Sequence, residues 1–251
     1  MRLEGKVAIV TGAGRGLGKA FADRLAADGA SVVIADLAGA EEAAAGLKKT
    51  GARAAALVAD VSKEADAPRI AETALRAFGR IDILVNNAGY FAAAKRGRFE
   101  DIGVDEWRKM MDINVLGLYL CSRAVVPQMR KQGSGRVINL SSGTVLHGRP
   151  NFLHYVTSKG AVIAFTRALA RELGKDNITV NAIAPGLTLS DGVLLDPEYA
   201  KTGSARSRSE RALARDEHPA DLVGTVSFLA SDDAAFITGQ TLAVDGGSAM
   251  L

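Results

Sequence analysis

The chain has 251 residues, enough to bury the core of one α/β domain and with no need for a second. Aliphatic side chains dominate its 48% hydrophobic fraction and aromatics make up 5%, the balance expected where Val, Ile, Leu and Ala fill parallel strands and the helices covering them. A net charge of +3 without a basic tail removes nucleic acid as an expected partner, and the single cysteine, Cys121, excludes an internal disulfide framework and a cysteine-rich metal site, which points to a reducing cytoplasm and no metal.

Met1 to Thr11 runs from a charged start into a short apolar strand, without the apolar core and cleavage site of a signal peptide. The strand pattern of Val7 to Val10 ends at Gly12, and from about Gly16 a helical pattern places Phe21, Leu25 and Ala26 on one face. The alternation repeats, with strands predicted at Ser31 to Ala35, Ala54 to Ala59, Ile81 to Val85, Arg136 to Leu140 and Ile178 to Ile183. Helices are predicted between them, among them Ala40 to Lys48, Asp105 to Gln132 and His154 to Leu173. A further helix at Asp221 to Leu229 and a strand at Thr241 to Val244 close the pattern at seven strands. Such spacing specifies right-handed crossovers, so the expectation is one doubly wound α/β domain over 1–251, a seven-stranded parallel sheet with helices on both faces. Residues 186–219, poor in apolar and rich in charged side chains, read as a long loop serving as a substrate-side lid. No apolar run approaches the ~20 residues that span a bilayer, so a soluble protein without a membrane partner is expected.

Thr11-Gly12-Ala13-Gly14-Arg15-Gly16-Leu17-Gly18 sits where the first strand turns into the first helix, the place where backbone N–H groups and a helix N-terminus hold a pyrophosphate. The strict G-x-G-x-x-G spacing fails at Leu17, and what stands there is T-G-x-x-x-G-x-G. Asp36, at the end of the second strand, suits the ribose hydroxyls of NAD and would repel a 2′-phosphate, although a helix-initiating Asp would read the same way. Arg15 is the loop's one group able to reach such a phosphate. Asp60-Val61 and Asn86-Asn87-Ala88-Gly89 follow the third and fourth strands, on the side where open sheets bind ligands; each by itself also fits a cap or a turn. Together these features define a Rossmann-type dinucleotide site with NAD as the expected cofactor.

Tyr155 and Lys159 are four apart on a predicted helix and project from one face, so the ammonium favours the phenolate of a group whose ordinary pKa lies near 10. Ser142 follows the fifth strand, where its hydroxyl can hold a substrate oxygen while Tyr155 exchanges a proton with it; Ser141 competes for that role.

With Asn114, Pro185-Gly186 and the closing Asp245-Gly246-Gly247 in the same order, the sequence resembles the short-chain dehydrogenase/reductase family over nearly its whole length. The resemblance implies that Ser142, rather than Ser141, is the catalytic serine. It implies that Asn114 bends its helix and holds a proton-relay water, where a plain mid-helix polar residue is the alternative. It also implies that Lys159 contacts the nicotinamide ribose, that Asn87 and Gly89 line the cofactor, and that the backbone near Thr188 binds the carboxamide. Pro185-Gly186-Leu187-Thr188-Leu189-Ser190 departs from the family's P-G-x-[Val/Ile]-x-Thr, which unsettles the carboxamide contacts.

Among the histidines, His147 is set either at the pocket rim or in a solvated loop, His154 points away from the site, and His218 is a loop residue. The lid's Lys201, Arg206, Arg208, Arg211 and Arg215, interleaved with Glu198, Glu210, Asp216 and Glu217, fit an anion clamp or a solvated mixed-charge helix. The expected activity is reversible hydride transfer between NAD and a secondary alcohol or ketone, by a cytoplasmic homotetramer built on the two long helices and the last strand. The Leu187 region and Phe236 to Gln240 resemble dehydrogenases of small cyclic or aryl alcohols. An NADPH-dependent 3-oxoacyl thioester reductase is the enzymatic alternative, opposed by Asp36, and a non-catalytic dinucleotide-sensing regulator is the other.

Overall fold

The structure, a computed structural model, describes residues 1–250. Seven parallel strands stand in the order β3-β2-β1-β4-β5-β6-β7. They are β1 (Val7–Thr11), β2 (Ser31–Asp36), β3 (Ala54–Val58), β4 (Ile83–Asn86), β5 (Gly135–Leu140), β6 (Ile178–Pro185) and β7 (Thr241–Val244).

Alternation along the strands divides the core in two. Ala8, Val10, Val32, Ile34, Ile83 and Val85 face one side, with α1 (Gly16–Ala27), α2 (Ala40–Lys49) and α10 (Pro219–Ala230), numbered in chain order. Val7, Ile9, Val33, Leu84 and Val137 face the other, against α3 (Asp66–Phe78), α5 (Gly117–Gln132) and α7 (Leu153–Leu173). Both faces are covered, so the strands read as continuous apolar runs. The crossovers from β1 and β4 leave to opposite sides, which opens a crevice at the C-terminal end of this strand pair.

Three expectations needed correction. The fourth strand begins at Ile83 rather than Ile81, because the Asp82 carboxylate accepts the Val7 N–H at 2.8 Å and ends the ladder there. The single helix expected over Asp105 to Gln132 is α4 (Val104–Met111) and α5, joined by a π-helical turn at Asp112–Leu116. Segment 186–219 is largely helical: α8 (Asp191–Leu194) and then α9 (Pro197–Glu210), started by Asp196, which accepts from Tyr199 N, and Pro197 in the first turn. Its buried face is made of Ala200, Gly203, Ser204 and Ser207, side chains too small to register as an apolar stripe in the sequence.

Asp82 also binds Arg80 through both carboxylate oxygens, at 2.7 and 2.8 Å, so one buried carboxylate ties the starts of β1 and β4 together. Asp82→Ala orphans the Val7 N–H and should cost about 2–3 kcal/mol in urea unfolding. A loss under about 0.5 kcal/mol would show that the strand start is held by other contacts.

Candidate active site

The C-terminal ends of the central strands open into a cleft of about 1030 Å³. Every site residue singled out from the sequence lines it except Asn114, which is buried behind it.

The phosphate loop is shaped by close approaches. Gly12 has φ +63°, and a Cβ there would come within 2.7 Å of Ala88 Cα; a Cβ at Gly18 would overlap the Gly12 carbonyl oxygen. The Asn87 amide donates to the carbonyls of Thr11 and Gly12, both at 2.9 Å, which satisfies these loop carbonyls inside the protein. Early N–H groups of a helix lack intrahelical acceptors. Here the Gly16 N–H donates to the Asp191 carboxylate at 3.1 Å, so an anion already stands where a pyrophosphate is expected. The glycine-bound cradle and this carboxylate show that the loop fits a dinucleotide, with Arg15 and Leu17 at its lip.

Asp36 is not the cap of α2, a role that falls to Gly39 in left-handed conformation. Its Oδ2 accepts the Gly14 N–H at 2.7 Å, which holds the carboxylate in the cleft beside the loop. Asp60 accepts from both the N–H and the hydroxyl of Ser62, and Val61 packs against Gly117 at the start of α5. A Cβ on Gly186 would lie 2.7 Å from Arg211 Nη2 and from Glu217 Oε2, so glycine is required under that ion pair. The Pro185 carbonyl accepts the Gly143 N–H at 2.8 Å, which sets the β6 end beside Ser142. The Thr188 hydroxyl donates to Glu217 Oε1 at 2.5 Å and is not free to hold a carboxamide. Only backbone groups near it are left for that task.

At the other end of the cleft Ser142 and Tyr155 stand together, with the Ser142 hydroxyl acting on the phenol. Ser142 Oγ also accepts from the Thr144 hydroxyl at 3.0 Å, while Ser141 is turned inward to donate to the Lys159 carbonyl at 2.9 Å. The two adjacent serines are thereby separated in place: Ser142 faces the cleft and Ser141 ties β5 to α7. Burial pushes the Tyr155 phenol upward, and the Ser142 hydroxyl and Arg96 oppose it. The Lys159 Nζ donates to the Leu140 carbonyl at 2.8 Å and lies 5.8 Å from the Tyr155 ring centre. Burial pushes Lys159 down to about 8. Asn114 sits in the π-helical turn, where the resemblance implied a bend; it accepts from Tyr90 N at 2.7 Å and donates to Ser158 Oγ at 3.0 Å. Ser158 in turn donates to the Tyr155 carbonyl at 2.8 Å, so Asn114 braces the first turn of the Tyr155 helix.

The loops around Phe91 and Phe152, which sequence reasoning assigned to the substrate pocket without their contacts, form an aromatic wall: Phe152 stacks on Tyr155 with centroids 4.6 Å apart, and Phe91 lies 5.0 Å from Tyr155. These residues come from separate loops with no shared period. His147 lies at the cleft rim, 3.3 Å from the Ser248 hydroxyl, while His154 is wholly buried, lies outside the cleft lining, and is held towards its neutral form by burial. His218 is the N-cap of α10. Of the lid's basic residues, Arg208, Arg211 and Arg215 pair with Asp216, Glu217 and Asp221. Phe236 is fully exposed, and Phe236 to Gln240 lies outside the cleft lining. Val162 on α7 belongs to the buried core. No group of side chains suited to a metal ion occurs among the described residues, and no described helix is long and apolar enough to cross a membrane.

A dinucleotide cradle joined to a buried Ser–Tyr–Lys cluster on a seven-stranded parallel sheet defines an oxidoreductase. Over residues 12–249 the chain matches the family described as enoyl-(acyl carrier protein) reductase, and it belongs to the short-chain dehydrogenase/reductase family. It is similar to the 3-oxoacyl-[acyl-carrier-protein] reductase of Synechocystis sp., 38% identical over 252 residues that cover 99% of this chain and 98% of the relative. Among solved structures it is similar to levodione reductase, with a TM-score of 0.91, 34% identity and 98% of each chain covered. It is also similar to the 3-ketoacyl-(acyl-carrier-protein) reductase from Brucella melitensis complexed with NADH, with a TM-score of 0.89, 37% identity, and 99% of this chain and 100% of that one covered.

The lowered Lys159 pKa has a signed consequence. Between about pH 8 and its ordinary 10.5 the unfolded chain holds a proton that the folded chain has released, so this group's contribution to stability rises with pH across that window and is lost as pH falls through 8. The Tm of Lys159→Met minus that of the wild type should therefore shrink from pH 7 to pH 10, read by calorimetry without cofactor. A difference that is flat or grows would mean that the ammonium is not desolvated.

Proposed function

We propose that the protein transfers a hydride between NAD(H) and a secondary alcohol or ketone. The observation that carries this reading is the position of Tyr155, buried against Ser142 at one end of a cleft whose other end holds Asp36 on the phosphate loop. The nicotinamide, when bound, supplies or accepts the hydride. In the reductive direction the Tyr155 hydroxyl gives its proton to the carbonyl oxygen, and the Ser142 hydroxyl holds that oxygen as charge develops on it. Lys159 lies one helical turn from Tyr155, within reach of a ribose in the cleft, and Asn114 keeps the Tyr155 turn in place through Ser158. Asp36, Asn87, Gly89 and the Gly12–Gly18 loop hold the cofactor, with Asp60, Val61, Pro185, Gly186 and the Thr188 backbone along its length. The 186–219 segment works as a lid, a reading supported by the Asp191 contact to the Gly16 N–H of the loop.

A second reading, a 3-oxoacyl thioester reductase, has comparable support in the similarity to the Synechocystis and Brucella reductases. Asp36 disfavours NADPH for either substrate class but not the thioester itself. A regulator without turnover would keep the cradle and has no use for the buried Ser142–Tyr155 pair. We take the working form to be a cytoplasmic homotetramer, supported by apolar side chains left exposed on α5 and α7, Tyr119 and Leu153.

NADH oxidation over a panel of cyclic and aryl ketones and an acetoacetyl thioester separates these readings. Tyr155→Phe should remove at least ~99% of kcat on the best substrate while NADH binding stays within a few fold; retention of a tenth of wild-type kcat would take the proton-transfer role from Tyr155. The preference for NAD over NADP should reach at least ~100-fold in kcat/KM. Asp36→Ser should lower efficiency with NAD and raise it with NADP, Arg15 taking the 2′-phosphate. A wild-type enzyme that uses both cofactors within threefold contradicts this assignment of Asp36.

A further inference from the structure

Beyond Tyr155 the cleft is basic. Arg96, Arg149 and Arg206 line it with a single carboxylate, Glu210, among them, 3.8 Å from Arg206 Nε. They arrive from three places, the loop after β4, the loop before α7, and α9. Among the described residues neither Arg96 nor Arg149 has a carboxylate within 4.0 Å, and Arg206 Nε is buried without a hydrogen-bond partner. Arg208, Arg211 and Arg215 behave otherwise, each closed in an ion pair of 3.1 Å or less. Arg149 and Arg206 line the same cleft, and Arg149 is held below the ordinary arginine range, first by burial and then by repulsion from Arg206, with Glu210 opposing that shift.

An aromatic surface connects this cluster to the reacting groups. The Phe91 ring centre is 5.0 Å from that of Tyr155 and 6.4 Å from that of Tyr199, and the Arg96 guanidinium lies on the Tyr199 ring at 3.8 Å. A planar group placed between the Tyr155 hydroxyl and the cluster would therefore meet the Phe91 and Tyr199 rings.

We propose that the substrate of this site carries an anionic group at the end remote from its carbonyl, a carboxylate held by Arg149 and Arg206, with a planar apolar body lying on Phe91 and Tyr199. This rests on the ketone–alcohol reading above and narrows it to keto acids and their hydroxy acids. A carboxylate relieves the repulsion between the two guanidiniums and accepts charge-assisted hydrogen bonds from both, whereas a neutral ketone leaves that repulsion in place.

The test compares 4-acetylbenzoate with its methyl ester, which has the same ring and carbonyl without the charge, using saturating NADH at low salt. Hydrogen bonds to charged groups lead to an expected kcat/KM ratio of at least ~30 in favour of the acid. Arg149→Met and Arg206→Met should each lower that ratio, and the double variant should bring it within about threefold of unity, while Lys201→Met, an exposed cation on α9 outside the cleft, preserves it. Equal turnover of acid and ester by the wild type, or a ratio that the double variant leaves unchanged, overturns the proposal. If neither compound is reduced, it is the hydride-transfer reading that fails for aryl ketones, and calorimetry on the NADH-bound protein then decides the anion site. Tighter binding of the acid than of the ester, weakened at least ~10-fold in the double variant, supports it, and equal binding of the two rejects it.

Discussion

The Asn87 amide spans the crevice between β1 and β4 and uses both of its protons on the carbonyls of Thr11 and Gly12. From the other side the buried Thr11 hydroxyl accepts the N–H groups of Asn87 and Ala88, both at 3.1 Å, so the two strand ends are stapled by four hydrogen bonds within a few residues. The physical requirement behind this arrangement is that the loop's carbonyls be satisfied inside the protein, because only then can its N–H groups face the cleft and an anion. The glycines at 12 and 18 follow from the same constraint, since the staple leaves no room for a Cβ on either. The phosphate end of the site is thus a backbone structure, and its side chains serve mainly to hold that backbone in place.

The catalytic end is built the opposite way, from buried side chains whose neighbours decide their state. Ser141 and Ser142 share a sequence environment, yet one secures α7 through the Lys159 carbonyl and the other meets Tyr155. Asn114 touches neither Tyr155 nor the cleft; it acts through Ser158, from a π-helical turn that brings the side chain round to α7. The extra residue in that turn changes which face of the helix Asn114 presents, an effect a regular helix over the same stretch would not produce.

Charge in the lid is distributed by pairing. Arg208, Arg211 and Arg215 close the segment's own structure, with the Arg211–Glu217 pair almost wholly buried beneath Gly186. Removing either partner of such a pair would leave an uncompensated buried charge, so the pair fixes where the segment returns to the sheet. The basic character that the sequence displays as one patch is therefore spent on folding at three positions and directed into the cleft at Arg206, where Arg96 and Arg149 join it from elsewhere in the chain.

The sequence by itself determined the sheet, its seven strands, the loop from Thr11 to Gly18, the place of Asp36, and the Tyr155–Lys159 pair, because each is a local pattern with a fixed period or a fixed offset from a strand end. It also placed Asn114, Asn87 and Ser142 through resemblance, as residues in a known order. Tertiary structure alone decided which way Ser141, Ser142 and Thr188 turn their hydroxyls, that 186–219 folds as helices on a face of small residues, and that Arg96 comes into the cleft with Tyr155. Neither does any local pattern bring Phe91, Phe152, Arg149 and Tyr199 around one cavity. Hydrogen-bond partners and pKa values depend on groups far apart in the chain, which meet only when the crossovers have closed over both faces of the sheet.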